Sequence, residues 1–234
     1  MNIYILIPVY KRAEIFEKVL IRLNEIRELS KLKIGIVVAG EKEDACYEVF
    51  NSHKKEHDVF ITHKNLPVSN KFNGLFKYLE DKEFDYAMIV GSDDLISNKA
   101  WKLLEKEIVK YETHFIGFKD LNFYDTKTKR VGYFICKKSS YNQTIGCFRT
   151  LHYNLIKALN FEPYYNGKDS GIDFSMEEKI KYINGVTQKE ITVGNTGEIV
   201  DLKSNVNINS YEYLKKIFTL ASLDSFPNEI KQIL

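Results

Sequence analysis

A chain of 234 residues, 44% hydrophobic and 28% charged, is too apolar for a disordered segment and long enough to bury the core of one large domain. Its 34 basic residues stand against 32 acidic ones, a net charge of +2, so no global field draws it to nucleic acid or to a membrane surface. Three cysteines (Cys46, Cys136 and Cys147) without C-x-x-C or Cys/His spacing exclude a disulfide framework and a zinc site, and they fit a reducing, cytoplasmic compartment.

The opening apolar run from Ile3 to Ile7 has no basic residues before it and is cut by Pro8, so residues 2–9 read as a buried strand rather than a leader. No later run reaches the roughly 18 apolar residues that a membrane span needs. A helix follows over 13–30, with Phe16, Val19, Leu20, Leu23 and Ile26 on one face. Next come a strand at 32–39, a helix at 43–56, a short strand at 58–62 and a helix at 69–81. A strand at 86–90 and a helix at 98–112 complete the first half. Strands alternating with helices imply right-handed crossovers and a mainly parallel sheet with both faces covered.

From about residue 113 the rhythm changes. Residues 114–124 and 131–136, joined by 125–130, read as an antiparallel hairpin. Helices are expected at 150–159, 173–183, 210–220 and 224–233. The polar stretch 199–209, with interleaved apolar residues, is either a segment closing over a site or a solvated loop. No repeat, low-complexity tract or long linker divides the chain, which reads as one domain over 1–234 with halves 1–112 and 113–234.

In sheets of this kind ligands bind beyond the carboxyl ends of the strands. The first such end carries Pro8, Val9, Tyr10, Lys11 and Arg12, which is neither a dinucleotide fingerprint nor a Walker A loop. Tyr10 is suited to stack on a base and Arg12 to pair with a phosphate, or they are a turn aromatic and a first-turn charge. Arg12 is one of only five arginines, so its place is informative. Glu41 and Asp44 follow the second strand; they either accept hydrogen bonds from a nucleobase or ribose, or favour the helix dipole. Asn70, Lys71, Asn73 and Gly74 open a helix with poor helix formers, which suits contact with an anionic or polyhydroxylated ligand. After the apolar strand ending at Val90 come Gly91, Ser92, Asp93 and Asp94. An N-cap explains one aspartate, whereas Mg²⁺ or Mn²⁺ beside a diphosphate explains two. In the second half Arg149 lies beside Gly146, and Asp169 and Asp173 precede a helix, as caps or as a base for an incoming hydroxyl.

Taken together, these residues resemble a GT-A glycosyltransferase of the family 2 type. The resemblance rests on the run from Ile7 to Arg12, on the Asn70, Asn73 and Gly74 helix start, and on Gly91 to Asp94 at the place of the D-x-D motif. It continues more weakly with Gly146 to Arg149 and Gly171 to Asp173, and spans residues 1 to about 180. Small stand-alone members, some phage-encoded, are similar in the second half, including a tail like Asp201, Lys203, Ser204, Asn207 and Asn209.

The resemblance implies a GT-A, Rossmann-like α/β fold and a metal-dependent, inverting transfer of a hexosyl or pentosyl group from a nucleotide sugar, a UDP-sugar above all. The first half would hold the donor: Tyr10 and Glu41 or Asp44 flank the base, and Pro8, Arg12, Asn70, Lys71 and Asn73 line its path. Asp93 and Asp94 would hold ribose and Mn²⁺ or Mg²⁺. Asp173 would be the acceptor-side base, with Asp169 as the spare, and Arg149 would steady the leaving group or orient the donor. Two departures stand out: Gly91 replaces the first carboxylate of D-x-D, and Ile172 replaces the acid usually paired with the base. The acceptor stays open among a glycan, a lipid-linked sugar, a protein and a modified DNA base. The rival readings are a nucleotidyltransferase, which would be expected to carry a glycine-rich loop with arginine after the first strand, and a non-catalytic nucleotide-sugar-binding module.

Overall fold

The computed structural model describes residues 1–136, 144–204 and 217–234. Its centre is a seven-stranded sheet in the order β10-β6-β9-β4-β1-β2-β3. These strands are β1 (Asn2–Pro8), β2 (Lys33–Gly40), β3 (Val59–Thr62), β4 (Tyr86–Ile89), β6 (Phe115–Phe118), β9 (Thr150–His152) and β10 (Gln188–Ile191). All neighbours run parallel except β9, which is antiparallel to both β4 and β6.

Alternation along β1 explains the two layers of core. Ile3, Ile5 and Ile7 face one side with Phe16, Val19, Leu20, Leu23 and Ile26 of α1 (Ala13–Leu29). Leu6 faces the other side with Leu75 and Phe76 of α3 (Val68–Tyr78). A strand buried on both faces must be apolar at every position, which is why β1, β2 and β4 read as continuous hydrophobic runs. Helix α2 (Cys46–His53) covers the first side as well. Helix α4 (Asn98–Lys110) starts where Ser97 Oγ accepts from the Ala100 amide at 3.0 Å, and ends at Tyr111 in the left-handed region, φ 57°.

A second sheet of five strands, β12-β8-β7-β11-β5, stands beyond the carboxyl end of β4. Its members are β5 (Asp94–Ile96), β7 (Asp120–Asp125), β8 (Val131–Ile135), β11 (Ile199–Lys203) and β12 (Thr219–Ala221). Helices α5 (Tyr153–Ala158), α6 (Ile172–Lys181) and a short α7 (Asn228–Lys231) complete the fold. Among the described residues no helix is long and apolar enough to cross a membrane.

The second half departs from the sequence expectations in five places. The single strand expected at 114–124 is split at Lys119, so that β6 joins the large sheet and β7 the small one. The helix expected at 150–159 begins as strand β9, because residues 150–152 fill the gap between β4 and β6 and both neighbours supply ladder partners. The stretch at 199–203 is neither a lid nor a solvated loop but the strand β11, with Ile199, Val200 and Leu202 buried. Of the helix expected at 210–220, residues 210–216 lie outside the described residues, and residues 219 and 220 belong to β12. The helix expected at 224–233 is a 3-10 turn at Leu223–Ser225 followed by α7. Asn207 and Asn209 also lie outside the described residues.

Candidate active site

The ends of β1 and β4 open into a cleft of about 570 Å³, roofed on its far side by residues of the second half. Its floor is acidic. Asp93 and Asp94 follow β4, and Asp94 Oδ2 accepts from the Gly91 amide at 2.7 Å, closing a tight turn. This turn gives the glycine a physical reason. A Cβ at position 91 would lie 2.5 Å from Asp94 Oδ2 and 2.8 Å from Asp93 Oδ1, so both carboxylates fold back over the space a side chain would take.

The third acidic group comes from the second half of the chain. Strand β11 runs antiparallel to β5 with Asp201 opposite Asp94, and the Leu202 amide donates to the Asp93 carbonyl at 2.8 Å. Period-2 alternation buries Val200 and Leu202 and sends Asp201 and Lys203 to the cleft. Oxygens of Asp93, Asp94 and Asp201 lie within 4.8 Å of one another. Lys203 Nζ donates to Asp201 Oδ2 at 2.6 Å, while Asp201 Oδ1 is buried with no hydrogen-bond partner among the described residues.

Burial, and then the charges of Asp93 and Asp201, push the Asp94 carboxyl well above the usual carboxylate range. Burial raises Asp201 to about 6, Lys203 pulling it back and Asp93 pushing it further. Burial alone would depress Lys203, but Asp201 and Asp93 outweigh it and hold the ammonium above its ordinary value. Arg12 is the other cation at the floor: its Nη1 meets Asp93 Oδ2 at 2.5 Å and its Nη2 donates to Ser92 Oγ at 2.8 Å.

One wall belongs to the first half. Pro8 and Tyr10 line it, and Tyr10 is 37% exposed at the rim with Lys11 Nζ 4.9 Å from its ring centroid. Lys71 also lines the cleft, although it is only 2% exposed. Its ammonium donates to the Val9 carbonyl at 3.0 Å and to Asn65 Oδ1 at 2.6 Å. Burial lowers it to about 8, against the upward pull of Glu41 and Asp44. Those two acids stand behind the wall rather than on it. Asp44 accepts from the amides of Lys11, at 2.6 Å, and Cys46, at 2.9 Å; Glu41 accepts from the Asn65 amide at 3.2 Å.

Asp173 lies on the opposite wall, with its side chain 41% exposed. It packs over Gly146, where a Cβ would come within 2.5 Å of Oδ2. Arg149 does not reach the cleft. It is fully buried, pairs with Glu177 at 2.9 Å and donates to the Thr144, Ile145 and Asp173 carbonyls. Its place behind α6, 3.7 Å from Asp173 Oδ1, corrects the expectation of a donor contact: it fastens the start of the helix that carries Asp173. Asn70, Asn73 and Asp169 are likewise turned to another task. Asn70 Oδ1 accepts from the Gly167 amide, Asn73 bonds both the Tyr164 amide and carbonyl, and Asp169 Oδ1 accepts from the Val68 amide at 2.9 Å. The amide-rich start of α3 finds its partners in the 164–169 loop, which satisfies its orphan donors without a ligand.

No protein-family model matches the chain, and neither does any curated protein. Among solved structures it is similar to S. aureus TarS, a GT-A glycosyltransferase. TarS 1-349 superposes with a TM-score of 0.55 at 12% identity, over 86% of this chain and 60% of that one. TarS 1-349 in complex with UDP-GlcNAc gives 0.58 at 14% identity, over 92% and 64%. A longer TarS structure gives 0.58 at 14% over 93% of this chain but only 39% of its own. The fold is GT-A.

At such identities the likeness is one of fold, and the chain spans less than two thirds of those TarS chains. Within this frame Gly91, Ser92 and Asp93 follow the end of β4, and Asp94 opens β5. Asp201 and Lys203 entered the sequence reading only as part of the family-like tail, with no role at the floor of the cleft. Their signal was the alternation Val200, Asp201, Leu202, Lys203, a strand pattern with both charges on one face, in a stretch read as a lid or loop.

Proposed function

We propose that this protein is a glycosyltransferase that takes a sugar from a nucleoside diphosphate, UDP foremost, and delivers it with inversion to an acceptor hydroxyl. The observation that carries this reading is one cleft in a GT-A fold lined both by the acidic floor of Asp93, Asp94 and Asp201 and, across it, by Asp173. The complex of TarS with UDP-GlcNAc supports a UDP-sugar as donor.

The floor fits a hard divalent cation, Mn²⁺ or Mg²⁺: the donors are all carboxylate oxygens, and a buried oxygen of Asp201 has no other partner among the described residues. Asp93, Asp94 and Asp201 would hold it, and when bound it supplies positive charge to the departing diphosphate. The remaining work falls to the chain. Asp173 accepts the proton of the acceptor hydroxyl while that oxygen bonds to the anomeric carbon. The bond from that carbon to the β-phosphate oxygen breaks, and its electron pair leaves with the nucleoside diphosphate. Arg12 and Lys203 keep two further cations beside the place where that negative charge develops. Tyr10 at the rim offers a face for the base.

Asp173→Asn keeps the shape of the site and removes the proton acceptor. It should retain UDP binding and lose transfer by about 10²- to 10⁴-fold. The assay is release of UDP against a panel of UDP-sugars and hydroxyl acceptors with Mn²⁺. Wild-type transfer by Asp173→Asn would overturn the base assignment. Release of pyrophosphate from a nucleoside triphosphate and sugar phosphate would identify a nucleotidyltransferase, and binding without turnover a non-catalytic module.

A further inference from the structure

We infer that Asp201, on a strand of the second sheet, is the third carboxylate ligand of the divalent cation and stands in for the one that Gly91 does not supply. Three observations point the same way. Gly91 carries no ligand, and the carboxylates of Asp93 and Asp94 fold into the space beside it, 2.5–2.8 Å from where a Cβ would stand, so a side chain there would have to push them aside. The pairing of β11 with β5 sets Asp201 directly opposite Asp94, with their carboxylates and that of Asp93 inside a 4.8 Å cluster. Asp201 also has a buried Oδ1 with no hydrogen-bond partner among the described residues, a costly state for a carboxylate oxygen unless a cation answers it.

Lys203 has a defined part in this arrangement. It stands two residues along the same face of β11, and its ammonium holds Asp201 Oδ2 at 2.6 Å. The salt bridge orients Asp201 so that Oδ1 is the atom left to donate. It also makes Lys203 a competitor for the same carboxylate. The two halves of the molecule are thereby joined at the cation. Two ligands sit where the chain passes from β4 to β5, and the third arrives on β11, which pairs with β5 on one side and with β7 of the second half on the other.

The inference concerns cation affinity and draws on the glycosyltransferase reading only for the choice of UDP as companion ligand. Its test is a Mn²⁺ titration followed by the electron paramagnetic resonance signal of the free ion, with and without UDP. The proteins are wild type, Asp201→Asn, Asp94→Asn and Lys203→Met, each checked for folding by circular dichroism. Asp201→Asn should weaken Mn²⁺ binding about tenfold or more, and Asp94→Asn should do the same. Lys203→Met should tighten it severalfold, the opposite of what a merely structural lysine would do. Asp201→Asn binding Mn²⁺ as wild type does would overturn the inference. If Asp201→Asn does not fold, unchanged or weakened binding by Lys203→Met overturns it instead. Wild-type protein that binds Mn²⁺ through Asp201 yet turns over no nucleotide sugar would sink the function proposed above and leave this inference standing.

Discussion

Lys71 shows at the residue scale how position, not residue type, sets chemistry. A lysine at the start of a helix reads as a solvated phosphate contact. Here the side chain is buried, and its ammonium is held by the Val9 carbonyl and Asn65 Oδ1, 5.8 Å from the centre of the Tyr10 ring. Burial lowers it from 10.5 to about 8. The unfolded chain keeps that proton up to the higher value, and the folded chain releases it at the lower one. Between the two the unfolded state binds more protons, so stability rises with pH across that window, by about 3 kcal/mol in total. Below the window the cost of burying the charge is present in full. Lys71→Met should flatten this rise, measured as the difference between urea unfolding free energies at about pH 7 and about pH 10. An identical rise in both proteins would show that the lysine is not desolvated. The same scale explains what the sequence hid about Arg149. An arginine beside a glycine reads the same whether it faces a ligand or a buried glutamate, and only its contact with Glu177 tells them apart.

At the scale of elements, the helix α3 and the loop before α6 act as a unit. Asp169 accepts from the Val68 amide, and Ser69 and Asn70 receive the Lys168 and Gly167 amides in return. Asp169 is thus a cap supplied from a distant part of the chain. Asp169→Ala should cost about 1 kcal/mol in urea unfolding and leave transfer within a fewfold of wild type. Loss of transfer as deep as that of Asp173→Asn would return Asp169 to the role of base. The elements of the first half were legible because β1, β2 and β4 are apolar through their buried centres and their helices carry a clean 3.6-residue stripe. The second half was less so. β9 and β11 are short, and their partners lie far away along the chain, so the ladders that make them strands are invisible to local pattern.

Across the whole molecule, the cleft is where two sheets meet, and ligand binding there should stabilise the entire fold. UDP with Mn²⁺ at about 100 times its dissociation constant should raise the unfolding free energy by about 2.7 kcal/mol, seen as a shift in melting temperature. The two ligands share one cleft, so the effect of both together should exceed the sum of each alone. Additive or absent shifts would count against a joint site. The sequence alone determined the alternating α/β architecture of residues 1–112, the strand ends at which to look, and the presence of Tyr10, Arg12, Asp93 and Asp94 at those ends. These follow from hydrophobic periodicity, which is local and written in consecutive residues. Tertiary structure decided that Asp201 and Lys203 join the floor, that Asn70, Asn73, Asp169 and Arg149 hold loops and helices instead of lining it, and that the carboxylates of Asp93 and Asp94 fold over Gly91. The outcomes for Asp201, Lys203, Asn70, Asn73 and Asp169 depend on contacts between segments about a hundred residues apart, and a contact of that range leaves no periodic trace in the chain. Those for Gly91 and Arg149 depend on nearer partners, whose side-chain directions and burial are set only by the fold.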